Sequence, residues 1–426
     1  MTSLEAVAPA AASSIPASGA IRFLGQERPY WRLLIRGAVL LLFTLGIYRF
    51  WLATDIRRFL WGNTEIAGDT LEYTGTAIEL LIGFLFAIVI LVPLYALFFI
   101  AALDLGLIGE LSGLLAFLLL AWLSQFAIYR ARRYRLSRTV YRGVRFHQTG
   151  SAWRYAFYAL FWWAMIVMTV GLAYPLAQSG LERFKMRHTF YGDLAGRFEG
   201  SALSLFVRGF PLWLLVVGPF LAGAVVAIQA IDWPALAEAV SEGGSGMAAR
   251  IESSNPGYGT AIVLLIMTST WAALAAAVLY PAFQALVLRW WSSGLRFGSV
   301  AVTSRLRTGK VYRAYFRFLL YGILFALAFV VVGWLGLVLV DFLRGTSEAS
   351  EADEITAGVI IVLGYVAVAL GYSTIYQGTV KLSLWRLGTE SAVLSGVAAL
   401  DHVKAAGRPS SAVGEGLADA LNIGGI

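Results

Sequence analysis

The side chains able to do chemistry are few and widely spaced. The chain has no cysteine and three histidines, His147, His188 and His402. Without cysteine there is no disulfide, thiolate metal ligand or thiol nucleophile. No histidine has a metal-ligand spacing such as H-E-x-x-H. No phosphate-cradling loop or serine nucleophile motif occurs either. The sequence therefore predicts no enzyme, no metal and no cofactor. His147 and His188 fall in comparable basic segments, which leaves two readings, a shared site or ordinary surface histidines.

Two acidic residues follow glycine in similar surroundings, Gly68-Asp69 and Gly192-Asp193. Such a pair can hold a cation or a headgroup amine. It can also simply turn the chain, since Asp bonds its own backbone and Gly tolerates positive φ. Coupled transporters usually bury charge near mid-membrane. The apolar runs here carry almost none at their centres. They offer amides and hydroxyls instead, among them Gln125, Gln284 and Gln377, with Gln178 on a flanking segment. These groups either bond neighbouring helices or line a path for a neutral or lipid-like ligand.

What must position these groups is a membrane bundle. The chain is 59% hydrophobic and 14% charged, with mean hydropathy +0.73. Soluble domains run at about 25% charged. Six apolar runs reach the ~20 residues needed to cross a bilayer: 77–102, 111–128, 201–231, 258–288, 315–340 and 355–380. The net charge of +8 sits mainly in two segments without acids, 130–154 and 289–317. Lys and Arg mark cytoplasmic loops, so nucleic-acid binding is not implied. The connections poor in Lys and Arg, around Asp104, Asp232–Glu252 and Asp341–Glu354, read as external. Two further runs, 31–45 and 155–173, conflict with this topology as single crossings. Both become consistent as re-entrant hairpins turning at Thr44-Leu45-Gly46 and Thr169-Val170-Gly171. Eight ordinary crossings with an imperfect charge rule is the other reading.

A tyrosine followed nine residues later by a cation recurs after five apolar segments: Tyr48/Arg57, Tyr129/Arg138, Tyr174/Arg183, Tyr280/Arg289 and Tyr372/Lys381. Repetition of this kind indicates copied units. The two hairpin regions also share Arg58-Phe59 with Arg183-Phe184, the Gly-Asp pair, and a final glycine, Gly75 or Gly200. Tyr174 and Tyr280 share Y-P-x-x-Q, ending at Gln178 and Gln284. After each basic extension a short stretch such as LEYTG or GRFEG reads as a β-ribbon.

These residues resemble the YjgN family of bacterial inner-membrane proteins, a family of unknown function. The resemblance rests on TLGIYRFW, on RRFLWGNTEIAGDTLEYTGT and on the closing GEGLADALNIGGI, and covers nearly all of residues 21–426. It implies an inner-membrane location and, from gene neighbourhood, a partner of the M48 zinc metalloprotease type. The combined expectation is an all-α polytopic membrane protein with about six crossings, two re-entrant hairpins, small cytoplasmic β-ribbons and both termini cytoplasmic. Its segments are a disordered tail (1–20), three repeats (21–150, 151–314 and 315–408) and a C-terminal tail (409–426). The expected function is a channel or transporter-like protein for a neutral or amphipathic substrate, touching anionic headgroups on its basic side. The alternative is a non-enzymatic scaffold or regulator for a partner.

Overall fold

The computed structural model describes residues 18–103, 107–344 and 351–423. The tail expected over 1–20 lies outside the described residues up to position 17. So do Asp104 and the acidic residue Glu348 of the third external loop. Among the described residues six helices are long and apolar enough to span a membrane: Ala77–Ala101, Leu111–Ser137, Ala202–Ala230, Pro256–Gly294, Thr308–Val340 and Ile355–Glu390. At most 11% of any apolar window is buried inside the protein. Side chains such as Phe99, Val332 and Ile361 are largely exposed. In water each would forgo about 1.5–3 kcal/mol of burial. Lipid is therefore the solvent for this surface.

The chain repeats one plan: a helix in, a helix back, then a β-hairpin. Strand β1 (Ser18–Phe23) precedes the first helix pair, α1 (Glu27–Phe43) and α2 (Arg49–Gly62), and hairpin β2 (Thr64–Ile66) with β3 (Asp69–Tyr73). Then come α3 (Ala77–Ala102), α4 (Leu107–Ser137), β4 (Thr139–Tyr141) and β5 (Val144–Gln148). The third unit is α5 (Ala152–Met168), α6 (Tyr174–Arg187), β6 (Thr189–Tyr191) and β7 (Leu194–Phe198). The fourth runs through α7 (Ala202–Ala230), two short helices α8 (Trp233–Glu242) and α9 (Met247–Ser254), and α10 (Pro256–Gly294) to β8 (Leu295–Phe297) and β9 (Val300–Ser304). The fifth has α11 (Thr308–Arg344), α12 (Glu351–Tyr376), a π-helical turn (Gln377–Lys381), α13 (Leu382–Glu390) and β10 (Ala392–Ser395). A 3₁₀ turn (Val397–His402) and α14 (Val413–Ala420) follow. The structural period is thus five units, finer than the three segments drawn from sequence.

The all-α expectation is overturned by the strands. They do not stay as separate ribbons but pair side by side into one closed antiparallel barrel of ten, in the order β1-β10-β9-β8-β7-β6-β5-β4-β3-β2. Four hairpins are local. The fifth pairs the first and last strands among the described residues, with Ser18 opposite Ser395 and Ala20 opposite Val393. Closure leaves no strand edge to aggregate. Two local hairpins turn through positive φ at both central residues, Ala67 (48°) and Gly68 (94°), and Arg142 (48°) and Gly143 (73°). This is the backbone twist that two-residue hairpins require.

An arginine ties each outgoing helix to its hairpin. Arg58, Arg133, Arg183, Arg289 and Arg386 each stand six residues before a hairpin's first strand. Arg58 donates to the Gly75 carbonyl at 3.0 Å, Arg183 to Gly200 at 3.4 Å and Arg386 to Gly25 at 2.7 Å. Arg133 donates to Gly150 in the same way. Arg289 differs, reaching the Thr308 hydroxyl at 3.1 Å. At Gly25, Gly75 and Gly200 the space of a Cβ is filled by an aromatic ring, from Phe23, Tyr73 and Phe198. Thr76, Ser151 and Ser201 come directly after three of these glycines and cap the next helices. Replacing one of these arginines, for example Arg183→Met, is expected to cost about 1–2 kcal/mol, as for a charged donor to a carbonyl near the surface. Thermal unfolding in detergent measures it.

The Tyr/Arg pairs hold this register only in part. Tyr174 and Tyr280 lie equally far from their following strands, and Tyr48 is one residue further. Tyr129 is five residues nearer and Tyr372 five further; Tyr376 is the tyrosine in register with Tyr48. The expected turns do form. Leu45 and Gly46, and Val170 and Gly171, have matching positive φ (50° and 91°; 49° and 91°). The Thr44 and Thr169 hydroxyls accept from Tyr48 N–H at 3.0 Å and Ala173 N–H at 2.9 Å. Both α1 and α5 have 17 residues, about 25 Å at 1.5 Å per residue, short of the ~30 Å hydrocarbon core.

Candidate functional site at the helix–barrel junction

The outgoing helices α2, α4, α6, α10 and α13 share one inward face. Seven and four residues before the first strand lie Arg57 and Leu60, Arg132 and Arg135, Glu182 and Lys185, Leu288 and Trp291, Trp385 and Gly388. Leu60, Leu288, Trp291, Trp385 and Gly388 line one chamber of about 620 Å³. That volume is within the ~300–1,000 Å³ typical of small-molecule sites. Its wall is mostly apolar, with Lys381, Gln284 and Tyr376 as polar members.

The charged members of the same face pair with one another. Arg57 and Glu415, each 5% exposed, form a salt bridge, and Arg57 donates to Tyr73 Oη at 3.1 Å. Arg135 Nε lies 3.8 Å from the other Glu415 oxygen. Glu182 pairs with Lys185 and accepts from Trp291 Nε1 at 3.1 Å. Arg132 Nη2 lies 3.3 Å from the Met186 sulfur. The Lys381 ammonium makes no hydrogen bond or ion pair among the described residues. Burial alone would raise the Glu182 carboxyl, but Lys185 and Arg132 together hold it below its ordinary 4.5. A carboxylate lowered on folding stabilises the fold above its unfolded pKa and loses that contribution as pH falls through the folded one. The unfolding temperature is expected to fall with pH below 4.5. Glu182→Gln should flatten that decline in a melting series against pH.

Below the chamber the barrel is filled. The third residue of each first strand, Ile66, Tyr141, Tyr191, Phe297 and Leu394, forms an inward ring. Tyr141 Oη donates to the Ile66 carbonyl at 2.8 Å and Tyr191 Oη to the Tyr141 carbonyl at 3.0 Å. Each bond skips a strand, which requires side chains on the concave side. Burial pushes the Tyr191 hydroxyl up to about 12. Val397 and Leu400 pack against Ile66, Phe297 and Leu394 from the turn end.

The C-terminal segment then runs along the barrel into the bundle. Lys404 exchanges backbone and side-chain hydrogen bonds with Asp193 (3.1 and 3.0 Å). Gly407 sits against His147, and Ser410 bonds Ser137. Helix α14 packs on α3 and α4, with Leu417 and Ala418 buried among Ala87, Leu91, Ala127 and Ala131.

The sequence candidates land in different places. Lys381 and Gln284 line the chamber, and Gln178 occupies the equivalent position on α6, each eleven residues before a strand. Gln284 accepts from Tyr315 Oη at 2.6 Å. The Gln377 side-chain oxygen is buried without a partner. Gln125 lies on α4, away from the chamber wall. Gly68, Asp69, Gly192 and Asp193 sit on the barrel rim and do not converge. Asp69 opens β3 and meets Arg142 at 2.5 Å, whereas Asp193 is the second residue of its turn, so the two pairs are one residue out of step. Arg138 pairs with Glu79 at 2.6 Å. Among the described residues no group of three or more His, Asp or Glu is placed to hold a metal. Sequence reading missed Arg132, Arg135, Glu182, Lys185 and Glu415. For the first four the signal was the repeated spacing back from each strand, visible only once the strands are placed; Glu415, on α14, carries no such signal.

Fold and site together define a polytopic membrane protein whose helix pairs open onto a closed ten-stranded barrel. The chain belongs to a family of bacterial proteins of unknown function, DUF898, whose profile matches residues 18–420. The YjgN resemblance names the same family. No curated protein and no solved structure matches the chain.

Proposed function

We propose that the protein is a bacterial inner-membrane carrier or channel-like protein that takes an amphipathic, lipid-like substrate into the chamber at the helix–barrel junction. The observation that carries this reading is the chamber itself, apolar-walled with Lys381 as the charged residue of its lining. Its barrel side faces the cytoplasm in this proposal, because Arg133, Arg135, Arg142 and Arg145 cluster there and basic residues stay on that side. Both chain ends are then cytoplasmic. The short hairpins α1–α2 and α5–α6 re-enter without crossing, which fits their length and their exposed apolar tips, Leu45 and Met168. Anionic headgroups would surround the basic collar.

The test uses the cysteine-free background. A single Leu288→Cys is placed in the chamber wall, and the protein is reconstituted with fluorescent lipid analogues. Exchange that stops when a bulky maleimide occupies the chamber is the expected result. No exchange and no bound amphiphile, with an M48-type protease co-purifying whether or not the chamber is blocked, would favour the scaffold reading instead.

A further inference from the structure

We propose that the chamber binds the anionic headgroup of an amphiphile, with Lys381 as its principal cation and the apolar wall receiving the chain. This rests on the carrier reading above and names the ligand's chemistry. Three observations support it. First, Lys381 lines the chamber and its ammonium has no ion pair or hydrogen bond among the described residues. Second, the inward charges are unbalanced. Among the described residues Arg49, Arg57, Arg132, Arg135, Lys185 and Lys381 gather at this junction with Glu182, Glu415 and Asp419, and none of these carboxylates pairs with Lys381. Arg135 lies within electrostatic reach of Lys381, so this neighbour adds to its positive field. Lys381 is half-buried, so its charge is partly desolvated with no ion partner to offset that cost, and a bound anion would supply one. Third, the rest of the wall is apolar, with Leu60, Val287, Leu288, Leu384 and Trp385. A small hydrated anion gains nothing from that surface, whereas an acyl chain buries against it at about 0.8 kcal/mol per methylene.

Carboxylate and phosphate headgroups share this chemistry, and the probes separate them. Trp291 and Trp385 line the chamber and report on a brominated chain by fluorescence quenching. The detergent-purified, delipidated full chain is titrated with a brominated fatty acid, its methyl ester, brominated phosphatidylglycerol and inorganic phosphate. Trp385→Phe, which should reduce the signal, confirms that the quenching arises in the chamber. The expected result is quenching by the acid or by phosphatidylglycerol, weakened about tenfold or more by Lys381→Met and kept by Lys381→Arg, as for a lost charge-assisted contact. Which of the two binds identifies the headgroup.

Equal quenching by the ester, insensitive to Lys381→Met, would overturn the anion proposal and leave the carrier reading standing. Quenching by none of the amphiphiles would sink both. Displacement of the acid by equimolar inorganic phosphate would replace the amphiphile with a free anion. Lys381→Arg separates loss of charge from loss of fold, since a merely structural lysine would not be rescued by charge alone at an unchanged melting temperature.

Discussion

Glu415→Ala is expected to destabilise the protein by about 3–5 kcal/mol, the range for removing one partner of a buried ion pair. The carboxylate sits between Arg57 and Arg135, and it and Arg57 are almost wholly shielded from solvent. Its loss leaves two cations sharing a low-dielectric space. Burial disfavours the Arg57 charge, yet Glu415 and Tyr73 more than offset this and raise its pKa. Arg57→Met in the same background should therefore recover much of the loss, because an apolar side chain of similar reach needs no partner. A melting series of the single and double variants decides the matter. Additive losses would show that the pair does not act as a unit.

The second large effect comes from two glycines. Gly414 and Gly416 bring α14 so close to its neighbours that a Cβ at Gly416 would overlap the backbone of Gly83 and Phe84, and one at Gly414 the Arg130 backbone and Cβ. Backbone on backbone leaves no rotamer to yield. Gly416→Val should expel α14 from its groove. It forfeits the burial of Leu417, about 1.5–3 kcal/mol, together with the Glu415 pairing. The readout is a maleimide on Ala418→Cys, a position that is fully buried in the folded protein. That thiol should stay unlabelled in the parent and react readily when Gly416→Val is added. Continued protection in the double variant would show that α3 shifts to accept the side chain.

Part of this fold could be read from composition and spacing, and part could not. The six spans and the two Thr-x-Gly turns depend on local signals, apolar length and turn chemistry, and both appear in the structure. The barrel depends on distant pairing. Its local strands are three and five residues long, too short for an alternating pattern, and β1 meets β10 from the opposite end of the described chain. The five-fold arginine was hidden for a related reason. Incoming helices differ in length, and tyrosine, the eye-catching residue, drifts in register while Arg58, Arg133, Arg183, Arg289 and Arg386 do not. The charges at the helix–barrel junction were visible but assigned elsewhere. Arg132, Arg135 and Lys185 sit at helix ends and read as loop charge; only the ring of hairpins turns those ends towards the axis. Glu415 read as part of a tail, because nothing local announces that GEGLADA packs into the bundle.

The split hairpin also imposes an order on synthesis. Four hairpins can pair as soon as their own residues leave the ribosome. The ring cannot shut until β10 arrives to meet β1, the first strand made among the described residues. Until then β1 and β9 each present an open edge, the state most exposed to wrong partners. A chain cut short after the fourth hairpin therefore carries four local hairpins and no closed wall.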